Sequence, residues 1–251
     1  MIDGTEPPHA SEDVPQPGGT SRSGRVGRGF RDAVRSVLLT LAVFFVLRAF
    51  VVEAFKIPTS SMESTLLAGD FLLVNKMVYG ADLPGVGLSL PAMAEPDFGE
   101  VIVFHPPHEP EKHYVKRVVG MPGDTLQMKD KVLLRNGAPV DEPYVRHREG
   151  VGDVVHPGMA WQARFHLDAP RVRQYRPTRD HWGPLTVPEG RYFVLGDNRD
   201  NSEDSRYWGF VRREDVKGRP WIVYYSSEIS SGGGMPFLLD IRWDRIGGRV
   251  R

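Results

Sequence analysis

Three short segments carry the side chains that are best suited to chemistry, and the first is a turn initiated by Pro58. Its hydroxyl residues are Thr59, Ser60, Ser61 and Ser64. A hydroxyl becomes a nucleophile when a neighbouring base removes its proton. Hydroxyl clusters also occur as helix caps and linkers, so composition alone leaves both interpretations of this turn open.

The second segment is a predicted strand over residues 114–120 with a lysine between valines. Because side chains alternate along a strand, Tyr114, Lys116 and Val118 share one face. A lysine enclosed on such a face loses hydration, which lowers its pKa. A neutral amine can take the proton of a serine hydroxyl. The alternative is a lysine whose stem covers apolar surface while its ammonium group reaches water.

The third segment, residues 196–209, follows a predicted strand and is dense in Asp, Asn, Ser and Arg. Such side chains can hold a loop in one conformation through hydrogen bonds, and a structural turn network is one interpretation. A calcium loop is the rival, but the spacing lacks the glycine and the terminal glutamate of an EF-hand.

Metal chemistry is the other possibility that the residue types raise. His105, His108 and His113 lie just before Lys116, and three imidazoles can bind a metal ion. Prolines interrupt this stretch, and no carboxylate or cysteine has a recognised ligand spacing. We therefore expect solvated loop histidines, no metal and no cofactor.

The chain has no cysteine, which excludes a thiol nucleophile. Its 32 basic and 32 acidic residues argue against nucleic-acid binding.

An apolar run precedes these segments. Residues 36–52 contain one charge, Arg48, and follow five arginines in residues 22–35. Twenty helical residues span about 30 Å, the thickness of a hydrocarbon core. We predict an uncleaved transmembrane anchor over 33–55 after a disordered cytoplasmic tail, 1–32, because clustered arginines stay on the cytoplasmic side. A buried helix of a soluble domain is the alternative.

The remaining residues, 56–251, predict an extracytoplasmic domain rich in β-structure. Short β-branched or aromatic runs bounded by turn residues indicate the strands. They lie at 71–80, 101–104, 114–120, 131–137, 191–196 and 219–225. Residues from about 127 to 189 have weaker strand signals and are predicted to form an inserted β-rich subdomain. The predicted fold class is mainly β: an antiparallel catalytic core of about 56–126 and 190–251 carries this insertion and follows one transmembrane helix.

Four blocks in this order resemble the type I signal peptidases, the bacterial leader peptidases. The blocks are residues 57–80, 99–107, 114–124 and 196–211, about 60 of 251 residues. The last block is highly specific, and its occurrence with the others behind an anchor leaves little room for chance. The resemblance implies a serine endopeptidase with a Ser/Lys dyad that removes signal peptides from exported preproteins after small residues.

The resemblance also assigns roles to individual residues. Ser61, which precedes Met62, matches the nucleophile, and Lys116 matches the general base. Thr59 matches the hydroxyl that holds the oxyanion together with the backbone N–H of Ser61. Ser202 matches the serine that orients the lysine by a hydrogen bond. The residues that match those bracing or flanking the site are Asp197, Arg199, Asp204, Arg206 and Tyr114.

The chain departs from the family pattern near the nucleophile. Ser60 stands where glycine or serine is frequent, and Ser64 stands where proline is frequent. Both offer a second hydroxyl, and register against Met62 selects Ser61. Substrate pockets for small residues are expected to be shallow and apolar. From position alone, we expect Ile57, Pro58, Leu66 and Val103 to line them.

These inferences together predict a single-pass protein of the bacterial inner membrane with a cytoplasmic N-terminus. Its predicted partners are membrane lipid and signal-peptide-bearing preproteins near the secretion translocon, and not nucleic acid. One alternative is a catalytically silent, membrane-anchored binding module on the same scaffold. A self-cleaving Ser/Lys repressor would need an N-terminal DNA-binding domain in place of the anchor. A histidine-based metal-binding protein would be sensitive to chelators.

Overall fold

The computed structural model describes residues 23–50, 52–82, 89–148, 150, 152–168, 175–228 and 240–251. The chain divides into one unit that ends at Phe45 and a second from Val46 to Arg251. Helix α1 spans Ser23–Phe50, so it begins ten residues before the predicted start of the anchor. Arginine is a good helix former and no proline interrupts this segment, which accounts for the earlier start. Most of the predicted tail, residues 1–22, lies outside the described residues.

The predicted anchor also extends too far at its C-terminal end. Strand β1, Val52–Lys56, pairs antiparallel with strand β2, Asp70–Asn75, so residues predicted at the end of the anchor belong to a sheet. Within the described part of the chain, no helix combines the length and the apolar character needed to cross a membrane.

Thirteen strands are described, together with one short second helix. After β1 and β2 they are β3 (Ala81–Asp82), β4 (Ser89–Leu90), β5 (Val101–Phe104), β6 (Tyr114–Gly120), β7 (Thr125–Lys129), β8 (Val132–Arg135), β9 (Ala138–Pro139), β10 (Trp182–Thr186), β11 (Arg191–Leu195), β12 (Val211–Arg212) and β13 (Val216–Ser226). Helix α2 spans Ser205–Trp208, and the longest 3-10 helix spans Pro157–Arg164.

The predicted antiparallel core forms a seven-stranded sheet in the order β1–β2–β13–β5–β6–β11–β12. All of its pairings are antiparallel, which confirms the predicted mainly β, antiparallel core. Strands β5 and β6 have the predicted bounds, because their β-branched runs end sharply at turn residues. The second half of the predicted strand 71–80 instead forms a 3-10 turn at Met77–Tyr79.

A second sheet, β10–β7–β8–β9, lies between residues 125 and 186. Its apolar side chains pack against those of the large sheet in one cluster. The members of that cluster include Val119, Leu126, Met128, Leu133, Trp182, Phe193 and Leu195. Because β6 and β11 contribute to this cluster, the second sheet is fixed to the strands that lead into the chemical segments. Each fully buried large apolar side chain contributes about 1.5–3 kcal/mol to that attachment.

Candidate active site

The hydroxyl turn is held on apolar side chains that point into the core. Ile57, Met62 and Leu66 are buried in one cluster beneath it. At the start of the turn, Ile57 N–H donates to Asp70 O at 2.8 Å. Further along, Leu66 N–H donates to Met62 O at 2.8 Å. This frame leaves Ser61 only 8% exposed.

Ser61 and Lys116 meet across 55 residues of sequence. Lys116 Nζ lies 2.7 Å from Ser61 Oγ, a hydrogen-bond distance. Lys116 is 4% exposed, and burial is the largest influence on its pKa, which falls to about 8. The charges of Asp204 and Asp197 oppose that shift. Lys116 is therefore desolvated, and its neutral form is favoured relative to that of a solvated lysine.

Two further side chains approach the pair. Thr59 Oγ1 lies 3.4 Å from Ser61 Oγ, so both hydroxyls face the same volume. The ring centroid of Tyr114 lies 5.6 Å from Lys116 Nζ. Tyr114 Oη donates to Glu109 Oε2 at 2.8 Å, and burial together with this carboxylate raises the pKa of Tyr114 to about 12. Tyr114 therefore stays protonated and packs beside Lys116 without acting as a base.

A buried ion pair braces the polar loop that follows β11. Arg206 donates to both carboxylate oxygens of Asp204, from Nε and Nη2, at 2.8 Å each. Burial is the largest single influence on Asp204 and raises its pKa, but the charge of Arg206 and the hydrogen bonds to the carboxylate together outweigh burial, so the pKa is lowered. Gly196 N–H donates to Asp204 Oδ2 at 3.1 Å, which closes the loop on itself.

The same loop is bonded to the hydroxyl turn. Asn198 N–H donates to Ser61 O at 3.1 Å, and the Asn198 side chain donates to Ser60 O at 3.2 Å. Asn201 Nδ2 donates to Ser60 Oγ at 2.7 Å. The hydroxyl of Ser60 is thereby engaged by the loop, whereas that of Ser61 points to Lys116.

The predicted role of Ser202 is not borne out by its contacts. Its Oγ is buried and forms no hydrogen bond within the described residues, so the expected bond to Lys116 is absent there. Lys116 Nζ is directed to Ser61 instead. Ser202 Oγ lies near enough to Asp204 to help lower its pKa, although the contact falls short of hydrogen-bond geometry. A Cβ atom at Gly196 would overlap Ser202 Oγ, so glycine is required there.

Asp197 and Arg199 brace the site through partners that the sequence reasoning missed. Arg117 donates to Asp197 from Nε at 2.9 Å and from Nη2 at 2.7 Å. Thr65 Oγ1 donates to the same carboxylate at 2.6 Å. Arg199 Nη2 donates to Glu142 Oε1 at 2.6 Å. An arginine between valines on a strand was the available signal for Arg117, because a charge at such a position needs a partner.

An open cleft of about 1260 Å³ runs past Ser61 and Lys116. Ile57 and Pro58 line it, as expected. The expectation for Val103 and Leu66 was wrong, because both are fully buried in the cluster beneath the turn. The other side chains that line the cleft include Phe55, Ala68, Val115, His156 and Tyr207. Position along the chain did not reveal them, since they come from separate elements.

The three histidines of the proline-rich stretch do not converge. The rings of His105 and His113 lie 4.3 Å apart between centroids, whereas His108 stacks on Trp208 at 5.6 Å. Burial and the neighbouring His105 lower the pKa of His113. Across the described ranges, no group of three or more His, Cys, Asp or Glu side chains is arranged to hold a metal ion.

Comparisons with known proteins identify the family that this chain resembles. The family model for signal peptidase, peptidase S26, matches residues 30–225. Signal peptidase I of Pseudomonas aeruginosa is 41% identical over 206 residues, covering 76% of this chain and 71% of the relative. Signal peptidase I of Pseudomonas fluorescens is 38% identical over 214 residues, covering 76% and 71%. Signal peptidase I of Aquifex aeolicus is 34% identical over 237 residues, covering 80% and 86%.

Proposed function

Since this chain belongs to the signal peptidase family, peptidase S26, and is a serine peptidase that removes signal peptides, we propose that Ser61 is its nucleophile and Lys116 its general base. The single observation that carries this proposal is the 2.7 Å approach of Lys116 Nζ to Ser61 Oγ in a buried setting. The alternative of a catalytically silent binding module has no support among the relatives.

In the proposed reaction, neutral Lys116 takes the proton of Ser61 while Oγ attacks the scissile carbonyl carbon. The Thr59 hydroxyl and the Ser61 N–H hold the oxyanion that forms. As the C–N bond breaks, Lys116 returns its proton to the leaving amine of the mature protein. Lys116 then deprotonates a water molecule, whose oxygen attacks the acyl carbon. The C–Oγ bond breaks as Lys116 returns that proton to Ser61 Oγ, which releases the signal peptide.

Selection for small residues before the scissile bond follows from the cleft. Ile57, Ala68 and Val115 present apolar groups near Ser61, and Met62 closes the floor. We propose that this apolar wall favours a methyl or hydroxymethyl side chain before the scissile bond. Preproteins that end their signal peptides in Ala, Gly or Ser are the proposed substrates.

The assay is cleavage of a preprotein by detergent-solubilised full-length protein. Ser61→Ala and Lys116→Ala should each abolish cleavage, whereas the matched controls Ser60→Ala and Ser64→Ala should keep at least a third of the wild-type rate. A chelator should change none of these rates. Wild-type cleavage by Ser61→Ala would refute the proposed nucleophile, and wild-type cleavage by Lys116→Ala would refute the proposed base.

We further propose that residues 33–50 of helix α1 tether the protein to the bacterial inner membrane, with the N-terminus inside and the peptidase outside near the translocon. The arginine-rich flank and the low charge of residues 36–52 support this. Because the chain has no cysteine, single introduced cysteines report on topology. An impermeant maleimide should label Lys129→Cys but not Ser11→Cys in spheroplasts. The reverse pattern would refute the orientation, and labelling of both would refute the anchor.

A further inference from the structure

A segment of the inserted region runs along the polar loop. We call residues 142–148 the clamp segment and residues 196–205 the catalytic loop. Arg146 N–H donates to Asp197 O at 2.8 Å, and Arg199 N–H donates to Arg146 O at 3.0 Å. These two bonds form an isolated parallel bridge between Arg146 and Asn198. At the start of the clamp segment, the Glu142 carboxylate accepts a hydrogen bond from the Arg199 side chain. The clamp segment therefore holds the loop backbone and a loop side chain together.

The clamp segment also contacts the hydroxyl turn. Ser64 Oγ donates to Tyr144 O, three residues beyond Ser61. The guanidinium of Arg117, next to Lys116 on β6, lies 3.8 Å from the centroid of the Tyr144 ring. One inserted segment thus touches the neighbours of the nucleophile, of the base and of the loop.

Asp200 is the loop residue on which the inserted region converges. Its side chain is fully buried, and among the described residues its polar side-chain contacts come from the inserted region. Arg148 N–H donates to Oδ2 at 2.7 Å, and Arg179 Nε lies 2.9 Å from Oδ1 without hydrogen-bond alignment. Lys131 Nζ and His147 Nδ1 each lie 3.6 Å away. A buried carboxylate is costly unless cations and donors compensate it, so these contacts hold Asp200 in place.

We propose that Asp200 is a positioning residue through which the inserted region fixes the catalytic loop against Ser61 and Lys116. The proposal rests on the function proposed above. Asp200 lies between Asn198, which holds Ser61 O, and Ser202, which lines the cleft beside Lys116. If the contacts of Asp200 are lost, the catalytic loop can move away, which exposes Lys116 to water and weakens the hydrogen bonds that hold the hydroxyl turn. The inserted region therefore takes part in building the active site.

The chain supplies a matched control for a test of Asp200. Asp180 pairs with the same cations: Arg179 donates to both of its oxygens at 2.9 Å, and Lys131 lies 3.8 Å away. Asp180 belongs to the inserted region and lies outside the loop. Asp200→Asn and Asp180→Asn remove the same charge from one cluster, but only the first releases the loop.

The experiment measures kcat/KM for preprotein cleavage from pH 6 to pH 10.5 with full-length wild type, Asp200→Asn and Asp180→Asn, alongside thermal unfolding. Lys116 is faced by Asp204, Asp197, Arg206 and Glu203, and burial is the largest cause of its lowered pKa. Water admitted by a released loop should raise that pKa. We expect Asp200→Asn to lose at least tenfold in kcat/KM at pH 8. The acid limb of its pH profile, where activity rises as Lys116 loses its proton, should lie about half a pH unit or more higher than in the wild type.

The direction of this shift separates positioning from other effects. Loss of a negative charge alone would lower the pKa of Lys116, and partial unfolding would scale the profile without moving it. Asp180→Asn should stay within threefold of wild type with an unmoved limb. Superposable profiles for Asp200→Asn and Asp180→Asn would overturn the proposal.

Should Asp200→Asn fail to fold, Glu142→Gln provides the second variant, since it frees Arg199 from the clamp segment. An upward shift of the acid limb is expected again, and an unmoved limb would overturn the proposal. Ser61→Ala is assayed in parallel. Cleavage by Ser61→Ala would refute the proposed nucleophile. If Ser61→Ala loses cleavage but the pH profiles of Asp200→Asn and Glu142→Gln do not shift, only the role of Asp200 is refuted.

Discussion

Replacement of Lys116 by methionine should stabilise the protein while it abolishes cleavage. Burial lowers the pKa of Lys116 from 10.5 to about 8, so the folded state disfavours the ammonium form. Each pKa unit corresponds to about 1.4 kcal/mol, and this shift costs the folded protein about 3 kcal/mol at pH 7. Methionine has a similar length, carries no charge and suits a buried site, so Lys116→Met removes that cost.

The sign of the effect sets its pH dependence. Between pH 8 and pH 10.5 the unfolded chain binds more protons at Lys116 than the folded chain does. The stability of the wild type therefore rises relative to Lys116→Met as pH increases through this window. The advantage of the variant should be about 3 kcal/mol below pH 8, about 1 kcal/mol at pH 10, and near zero above pH 10.5.

The assay is reversible denaturant unfolding of full-length wild type and Lys116→Met in detergent at pH 7 and pH 10, with Lys112→Met as the control. Lys112 lies near the cleft but is exposed, so its replacement should change stability by less than about 0.5 kcal/mol at either pH. A difference between wild type and Lys116→Met that does not depend on pH would refute the desolvation of Lys116.

Three further outcomes follow from the geometry. Gly196→Ala should lower the cleavage rate by at least tenfold and lower the unfolding midpoint, because its Cβ overlaps Ser202 Oγ. Ser64 has a φ of +106°, which proline cannot adopt, so Ser64→Pro should destabilise the protein by more than about 1 kcal/mol in denaturant unfolding while Ser64→Gly costs less. Thr59→Val should reduce kcat by about 10²–10³-fold with unchanged stability, whereas Thr59→Ser should retain most of the wild-type kcat. Equal rates for the two variants would exclude the Thr59 hydroxyl from the oxyanion site.

The sequence predicted the sheet where strand composition was unambiguous. Strands β5 and β6 have the predicted bounds, because uninterrupted β-branched runs end at turn residues. Residues 52–55 of strand β1 were assigned to the anchor, since they directly follow the apolar run and only pairing with β2 makes them a strand. Strand β10 was missed because it contains Gly183 and Pro184, which argue locally against a strand.

The site was predictable to a different degree. The residue types made the hydroxyl turn and Lys116 candidates, and the resemblance to type I signal peptidases selected Ser61 and Lys116 among them. The sequence did not predict which residues pair with Asp197 and Arg199. Arg117 with Asp197, and Glu142 with Arg199, join positions that are 80 and 57 residues apart. Val103 was misplaced because alternation along β5 does not reveal which face a neighbouring turn covers.

Ion pairing around Ser61 and Lys116 explains how a lysine surrounded by acidic residues retains a lowered pKa. Asp204 and Asp197 lie close enough to Lys116 to raise it, yet each is committed to an arginine: Asp204 to Arg206 and Asp197 to Arg117. A bidentate guanidinium cancels most of the field of its carboxylate beyond the pair. Burial then becomes the largest influence on Lys116. The acidic residues can therefore brace the loop and the turn without protonating the base, so rigidity and a free amine are compatible in one buried site.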